Sequence, residues 1–229
     1  MEDPTPKRIN PWTLWIPIIL IALGVVIFYN YLWAMKLKNE RDRDKPAIFG
    51  RVENDVAFVE RSGKPVSLYD VKGKILIISW VYTRCSRGCA GVVGKLMKLR
   101  EEYADHKNIQ FISVTLDKED TPEMLQSFAS GLGIKDDANW WFVNGKKDDL
   151  RLFMTRALQL APVKDIPEAQ RLGPDDKYEH DLRVALVDGR AQLRSLCDIM
   201  SSDPAFAEFW DKKIRKDLDY LIEEQRKDP

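Results

Sequence analysis

The chain has 229 residues, enough for one sizeable domain with an appendage, and 45% of them are hydrophobic, so a core can be buried. Thirty-six basic residues balance thirty-six acidic ones; the clustered basic excess of a nucleic-acid footprint is missing, and no nucleic-acid partner is expected. Three cysteines are too few for a disulfide scaffold, which is small and Cys-dense, so any cysteine role is local.

Residues 1–11 read as a short tail. From Trp12 to Trp33 the sequence WTLWIPIILIALGVVIFYNYLW carries no charge. As a helix it spans roughly 33 Å, long enough to cross the hydrocarbon core of a bilayer. Trp12, Trp15, Tyr29, Tyr31 and Trp33 sit at its ends as an aromatic belt would, and Pro17 falls in the first turns, where a missing N–H costs least. A signal-peptide core of about 7 to 15 residues ending in small residues does not describe this stretch. Residues 12–34 are therefore expected to be a single transmembrane anchor, followed by a charged linker at 35–45 and one folded domain over 46–229. Lys7 and Arg8 precede the anchor, whereas Lys36, Lys38, Arg41, Arg43 and Lys45 follow it. By the positive-inside rule alone that bias puts the domain in the cytoplasm.

Within the domain, IFGRVENDVAFVERSGKPVSL (48–68) alternates around Ser62-Gly63-Lys64 and predicts a hairpin. KILIISWVYT (74–83) is a near-continuous apolar run, the mark of a central strand covered on both faces. Val92, Leu96, Leu99 and Tyr103 then recur at helical spacing. IQFISVTLD (109–117) predicts a second central strand. Thr121 as N-cap, Pro122 at the first helical position, and Gly131 or Gly133 near the end bracket the next helix. A short strand at NWWFVNG (139–145) and a helix over KDDLRLFMTRAL (147–158) follow. The Pro- and Asp-rich segment APVKDIPEAQRLGPDDKYEH (161–180) reads as a long excursion, functional or mobile. A hairpin turning at Gly189-Arg190 and an amphipathic helix with Phe206, Trp210, Ile214, Leu218 and Leu221 on one face close the chain. The order predicts an α/β fold: a mixed sheet with antiparallel edge strands and helices on both faces.

VYTRCSRGCAG (81–91) places Cys85 and Cys89 directly after a central strand, where loops gather ligands. Two thiolates suit Cu(I), and one imidazole would complete a three-coordinate site. Of the two histidines, His106 in EYADHKN reads as a solvated surface residue, whereas His180 ends the excursion on a loop able to reach back to the cysteines. Zinc fits less well, since a structural site wants four protein ligands. The same pair could instead serve thiol–disulfide exchange, or fill the core as buried cysteines do. Cys197, on a terminal strand, reads as structural. A peroxidase of related fold would carry Thr three positions before the attacking sulfur; Tyr82 stands there for Cys85, with Thr83 one place later. A scaffold with no chemistry is the remaining alternative.

The apolar segment, the hairpin, GKPVSLYDVKGKILIISWVYTRCSRGCAGVVGKL, IQFISVTLDKEDTPEML, and a late His180 before a strand and VDGRAQL together resemble the Sco/SenC family of copper chaperones. The resemblance spans about residues 46–225 and rests most on the C-x3-C, the DTPE stretch at 120–123 and the distal histidine. It implies a thioredoxin-like fold, copper as cargo held by Cys85, Cys89 and His180, and delivery to a subunit of cytochrome c oxidase during its assembly. It also implies a single-pass protein of the bacterial inner membrane with a periplasmic domain, or of the mitochondrial inner membrane facing the intermembrane space, against the charge count. The sequence departs from the family pattern: Ser86 and Ala90 stand where proline usually follows each cysteine, Arg87 where an acidic residue lies between them, Lys118 where proline often follows Asp117, and Asp181 where serine or threonine follows the histidine. Arg84 and Arg87 are expected to lower the thiol pKa and favour thiolate.

Overall fold

Two seven-residue strands, buried at every position, form the axis of the domain. In this computed structural model, β4 (Ile75–Val81) and β5 (Ile109–Thr115) run parallel with Ile75 opposite Ile109. The structure describes residues 12–53, 55–85, 89–136 and 139–227. The chain divides into a unit ending at Lys45 and one beginning at Pro46.

The first unit is helix α1 (Trp12–Asp44), which runs on past the apolar stretch through MKLKNERDRD, a segment rich in good helix formers. Its large apolar side chains are exposed, and the helix is long and apolar enough to cross a membrane, as an anchor or as a signal segment.

In the second unit, β1 (Gly50–Arg51), β2 (Ala57–Glu60), β3 (Pro65–Ser67), β6 (Trp140–Asn144), β9 (Val184–Val187) and β10 (Gln192–Cys197) extend the sheet to the order β1-β10-β9-β4-β5-β6-β2-β3 among the described residues. Among the described residues only β4–β5 and β5–β6 are parallel; the remaining pairs are antiparallel. The mixed α/β class expected from the element order is observed.

Side-chain alternation along β4 splits the core in two. Ile75, Ile77 and Val81 face a cluster built with α2 (Cys89–Glu102), α3 (Pro122–Gly131) and α5 (Pro204–Lys227) through Leu96, Leu125 and Leu218. Leu76, Ile78, Trp80 and Tyr82 face the opposite cluster, which holds Phe58, Leu150 of α4 (Lys147–Leu152), Phe153 and Met154.

Three local expectations are corrected, and the long excursion gains a structure. The 48–68 segment is not one hairpin: β2 and β3 pair with each other, but β1 crosses to the far edge and pairs with β10, where Phe49 N and Val52 N donate to Leu193 O and Ala191 O. The helix over 147–158 is regular only to Leu152 and then widens into a π-type turn over Phe153–Ala157. The excursion is ordered by a ribbon of β7 (Lys164–Asp165) and β8 (Tyr178–Glu179). Phe206 of α5 is exposed rather than on the buried face, which carries Ile214, Leu218 and Leu221 together with Asp217, held by Lys213 at 2.7 Å.

α3 begins and ends as its sequence predicts. The Thr121 hydroxyl accepts from Met124 N at 3.3 Å, and Gly133 takes a left-handed φ of 77° while its N–H reaches Ser130 O and Ile134 N reaches Ala129 O. Thr121→Ala is expected to cost about 1 kcal/mol and to lower the melting temperature by roughly 2–4 °C, measured by calorimetry. An unchanged temperature would show that backbone bonds alone hold this terminus.

Candidate metal centre at the end of the central strands

Past Val81 the chain leaves the sheet in a tight turn. Tyr82 is buried against the second cluster, and Cys85 N donates back to Tyr82 O at 3.0 Å. This turn presents Cys85, half-buried, at the carboxyl end of β4. Cys89 opens α2; its side chain, with Ser86, Arg87 and Gly88, lies outside the described residues.

The loop after β5 braces the turn. Asp120 is fully buried and accepts from the hydroxyls of Thr83 and Thr115, each at 2.5 Å, while its carbonyl accepts from Asn144 Nδ2 at 2.9 Å. Asp of the DTPE stretch is therefore a structural bolt between the ends of β4 and β5. The Thr83 hydroxyl is committed to it rather than to a sulfur.

Arg84 corrects an expectation. Its guanidinium contacts Asp117 at 2.5 Å, Glu119 at 3.1 Å and Asp175 at 3.7 Å. The side-chain bond to Glu119 leads the contacts that raise its pKa still further, with those to Asp117 adding to it. A cation surrounded by three carboxylates has little charge left to stabilise a neighbouring thiolate. The corresponding expectation for Arg87 falls outside the described residues.

His180 arrives from the far end of the chain. Its Nε2 lies 4.0 Å from Cys85 Sγ, and its Nδ1 is 2.9 Å from Asp181 O. A carbonyl only accepts, so Nδ1 carries a proton, and in the neutral ring Nε2 offers its lone pair toward the sulfur. Fixing one ring nitrogen by a backbone carbonyl in this way orients metal-binding histidines. Bonds of the length that zinc makes, about 2.0 Å to imidazole and about 2.3 Å to thiolate, let one ion of that size span donors about 4 Å apart, so the two described donors fit a shared ion. Among the described residues no cluster of three His, Cys, Asp or Glu side chains forms; the Cys89 side chain, the third donor that the sequence suggests, lies outside them.

Asp181, the departure after the histidine, points into the protein framework. Its carboxylate accepts from Ala161 N at 2.7 Å, from Arg183 N at 2.9 Å and from the Arg183 guanidinium at 2.6 Å. Burial alone would raise its pKa, but the Arg183 guanidinium and the two backbone donors outweigh burial and hold it below the usual carboxylate range. Asp181 thus closes residues 161–181, hereafter the arm, at its base.

His106 is exposed beside Tyr103. Cys197 is buried 3.2 Å from Ser195 Oγ, and burial pushes its thiol up to about 11. Neither joins the site. Met200 went unnoticed in the sequence: it lines, with His180, Leu182 and Asp198, an open cavity of about 530 Å³. It packs so closely on Gly91 in the first turns of α2 that a β-carbon there would come within 2.6 Å of its methyl. A lone methionine after a strand carries no spacing signal that could have marked it. A cavity of about 570 Å³ lies beside Lys74 and Gly189 at the opposite end of β4, and neither cysteine nor histidine is among its described lining residues.

Comparison with known proteins places this architecture. A SCO1 protein homolog of Bacillus subtilis is 27% identical over 135 residues, covering 54% of this chain and 69% of that protein. BsSco, a member of the Sco family of cytochrome c oxidase assembly proteins in which a disulfide switch was identified, superposes with a TM-score of 0.58 at 20% identity, over 76% of this chain and 97% of that one. Yeast Sco1 with copper bound superposes with a TM-score of 0.55 at 17% identity, over 77% and 93%. These likenesses identify the thioredoxin-like fold. Because the SCO1/SenC family model matches residues 47–214, nearly the whole of the second unit, the chain belongs to the SCO1/SenC family.

Proposed function

We propose that the protein is a membrane-anchored copper carrier, which holds Cu(I) between Cys85, Cys89 and His180 and releases it to a subunit of cytochrome c oxidase. The observation that carries this reading is the 4.0 Å approach of His180 Nε2 to Cys85 Sγ across 95 residues of sequence. Thiolates and a neutral imidazole are the donors a soft monovalent copper prefers. Of these residues His180 lines an open cavity, which leaves a direction from which an acceptor's own ligands enter. Transfer is then ligand exchange, with one bond made as another breaks, and no free ion crosses water. The α1 helix, by length and composition, is read as the single anchor, with the domain outside the cytoplasm as in the family's periplasmic or intermembrane-space members. Copper-bound yeast Sco1 and the oxidase-assembly role of BsSco support the choice of cargo and recipient.

A second reading, thiol–disulfide exchange through Cys85 and Cys89, draws on the disulfide switch of BsSco. It loses force from the occupied charge of Arg84, which removes one expected means of thiolate activation.

The deciding experiment is copper stoichiometry on the full chain in detergent, reduced and loaded anaerobically with Cu(I), for the parent and for Cys85→Ser. One retained copper per parent chain and none in the variant is the expected result. No retained copper, with ready formation of a Cys85–Cys89 disulfide, would move the protein to the redox class.

A further inference from the structure

Cys85 and His180 meet only if the arm is held over the β4 turn, and its base at Asp181 is 20 residues of chain from Ala161. A second point of attachment lies at Asp175. The Tyr82 hydroxyl donates to Asp175 O at 2.7 Å, and Arg84 Nη1 lies 3.7 Å from Asp175 Oδ1. Both gripping residues belong to the turn that carries Cys85, the first accepting the Cys85 N–H through its carbonyl and the second adjoining it. We propose that Tyr82 and Arg84 are positioning residues: together they clamp the arm at Asp175 and so fix the approach of His180 to Cys85.

The stretch from Asp175 to His180 has little slack through which the clamp could lose its grip. Lys177 N bonds Asp175 O at 2.9 Å, Ile166 N bonds Lys177 O at 2.9 Å, and Tyr178–Glu179 is paired with Lys164–Asp165. The Asp176 carboxylate takes Leu172 N at 2.8 Å. The Tyr178 ring meets the Tyr82 ring edge-on at a centroid distance of 5.6 Å, so clamp and arm also share apolar contact. Arg84 is itself fixed by Asp117, which is buried. Its hold on Asp175 is therefore preset by the core and needs no ordering of a loose side chain.

For copper the inference rests on the reading above, so the test has one arm that needs no copper. The variants are Tyr82→Phe, which removes a single oxygen, and Asp175→Asn, at a half-exposed site where folding is not at stake; the Arg84–Asp117 pair is left intact in both. Hydrogen exchange on the full chain is expected to accelerate about five- to tenfold at arm amides 176–180, and not in the core strands. Cu(I) affinity, measured against a chromophoric chelator, is expected to fall about three- to tenfold in each variant and to be unaffected by either substitution in a His180→Ala background. Unchanged arm exchange overturns the clamp whatever copper does. Equal copper losses with and without His180 overturn its positioning role. If the parent takes up no copper, the carrier reading fails, and exchange confined to the arm still sustains the clamp.

Discussion

Replacing His180 with alanine is expected to weaken Cu(I) binding by more than about 100-fold, because loss of an outer-shell partner alone costs about 10- to 100-fold and His180 is read as a direct ligand. The ring is half-exposed and lies at the end of a ribbon rather than in either core cluster, so folding stability should move by less than about 0.5 kcal/mol. The midpoint potential of the Cys85/Cys89 couple should change little, since the imidazole takes no part in sulfur–sulfur bonding. Anaerobic competition against a chromophoric Cu(I) chelator, run beside a thermal scan and a glutathione redox titration, separates these outcomes. Retained affinity would remove His180 from the ligand set. A large shift in potential with unchanged copper binding would instead make it part of a redox site.

The largest effect on folding is expected at Arg194, away from Cys85 and Cys89. Its guanidinium is almost wholly buried and bonds Asp188 Oδ2 and Glu224 Oε2, each at 2.7 Å, and Pro46 O at 3.1 Å. One cation thereby joins the start of the domain, the β9–β10 hairpin and the last turns of α5. Arg194→Met keeps the length of the side chain but strands a buried carboxylate, at a cost of about 3–5 kcal/mol, or roughly 6–20 °C in melting temperature for a domain of this size. Arg194→Lys should recover only part of the loss, since a point charge cannot serve three acceptors as a planar fork does. Adding Asp188→Asn to the methionine variant should recover some stability by removing the stranded charge. A loss under about 1 kcal/mol, measured by denaturant unfolding, would mean that water compensates Asp188 and the network is peripheral.

What the sequence by itself determined is what local chemistry dictates. The segments KILIISWVYT and IQFISVTLD marked β4 and β5 as central strands, and Thr121, Pro122 and Gly131 or Gly133 bracketed α3, because capping and left-handed turns are properties of a few consecutive residues. The apolar stretch from Trp12 announced a helix of membrane length. The C-x3-C spacing and the late histidine drew attention to Cys85, Cys89 and His180, through resemblance as much as through pattern.

Tertiary structure alone decided the rest. Nothing local distinguishes β1, which pairs across the sheet, from a strand of the neighbouring hairpin, because a two-residue strand has almost no register of its own. A spacing of four groups Phe206 with Ile214 and Leu218, but at 3.6 residues per turn that spacing drifts round the helix, and Phe206 is exposed. Arg84 read as an activator of thiols until the fold surrounded it with Asp117, Glu119 and Asp175, residues 33 to 91 positions away. The 4.0 Å meeting of His180 and Cys85 likewise depends on Asp181 and Asp175 fastening a 21-residue arm at two points. A contact closed over 95 residues is set by loop-closing interactions that sequence spacing does not encode.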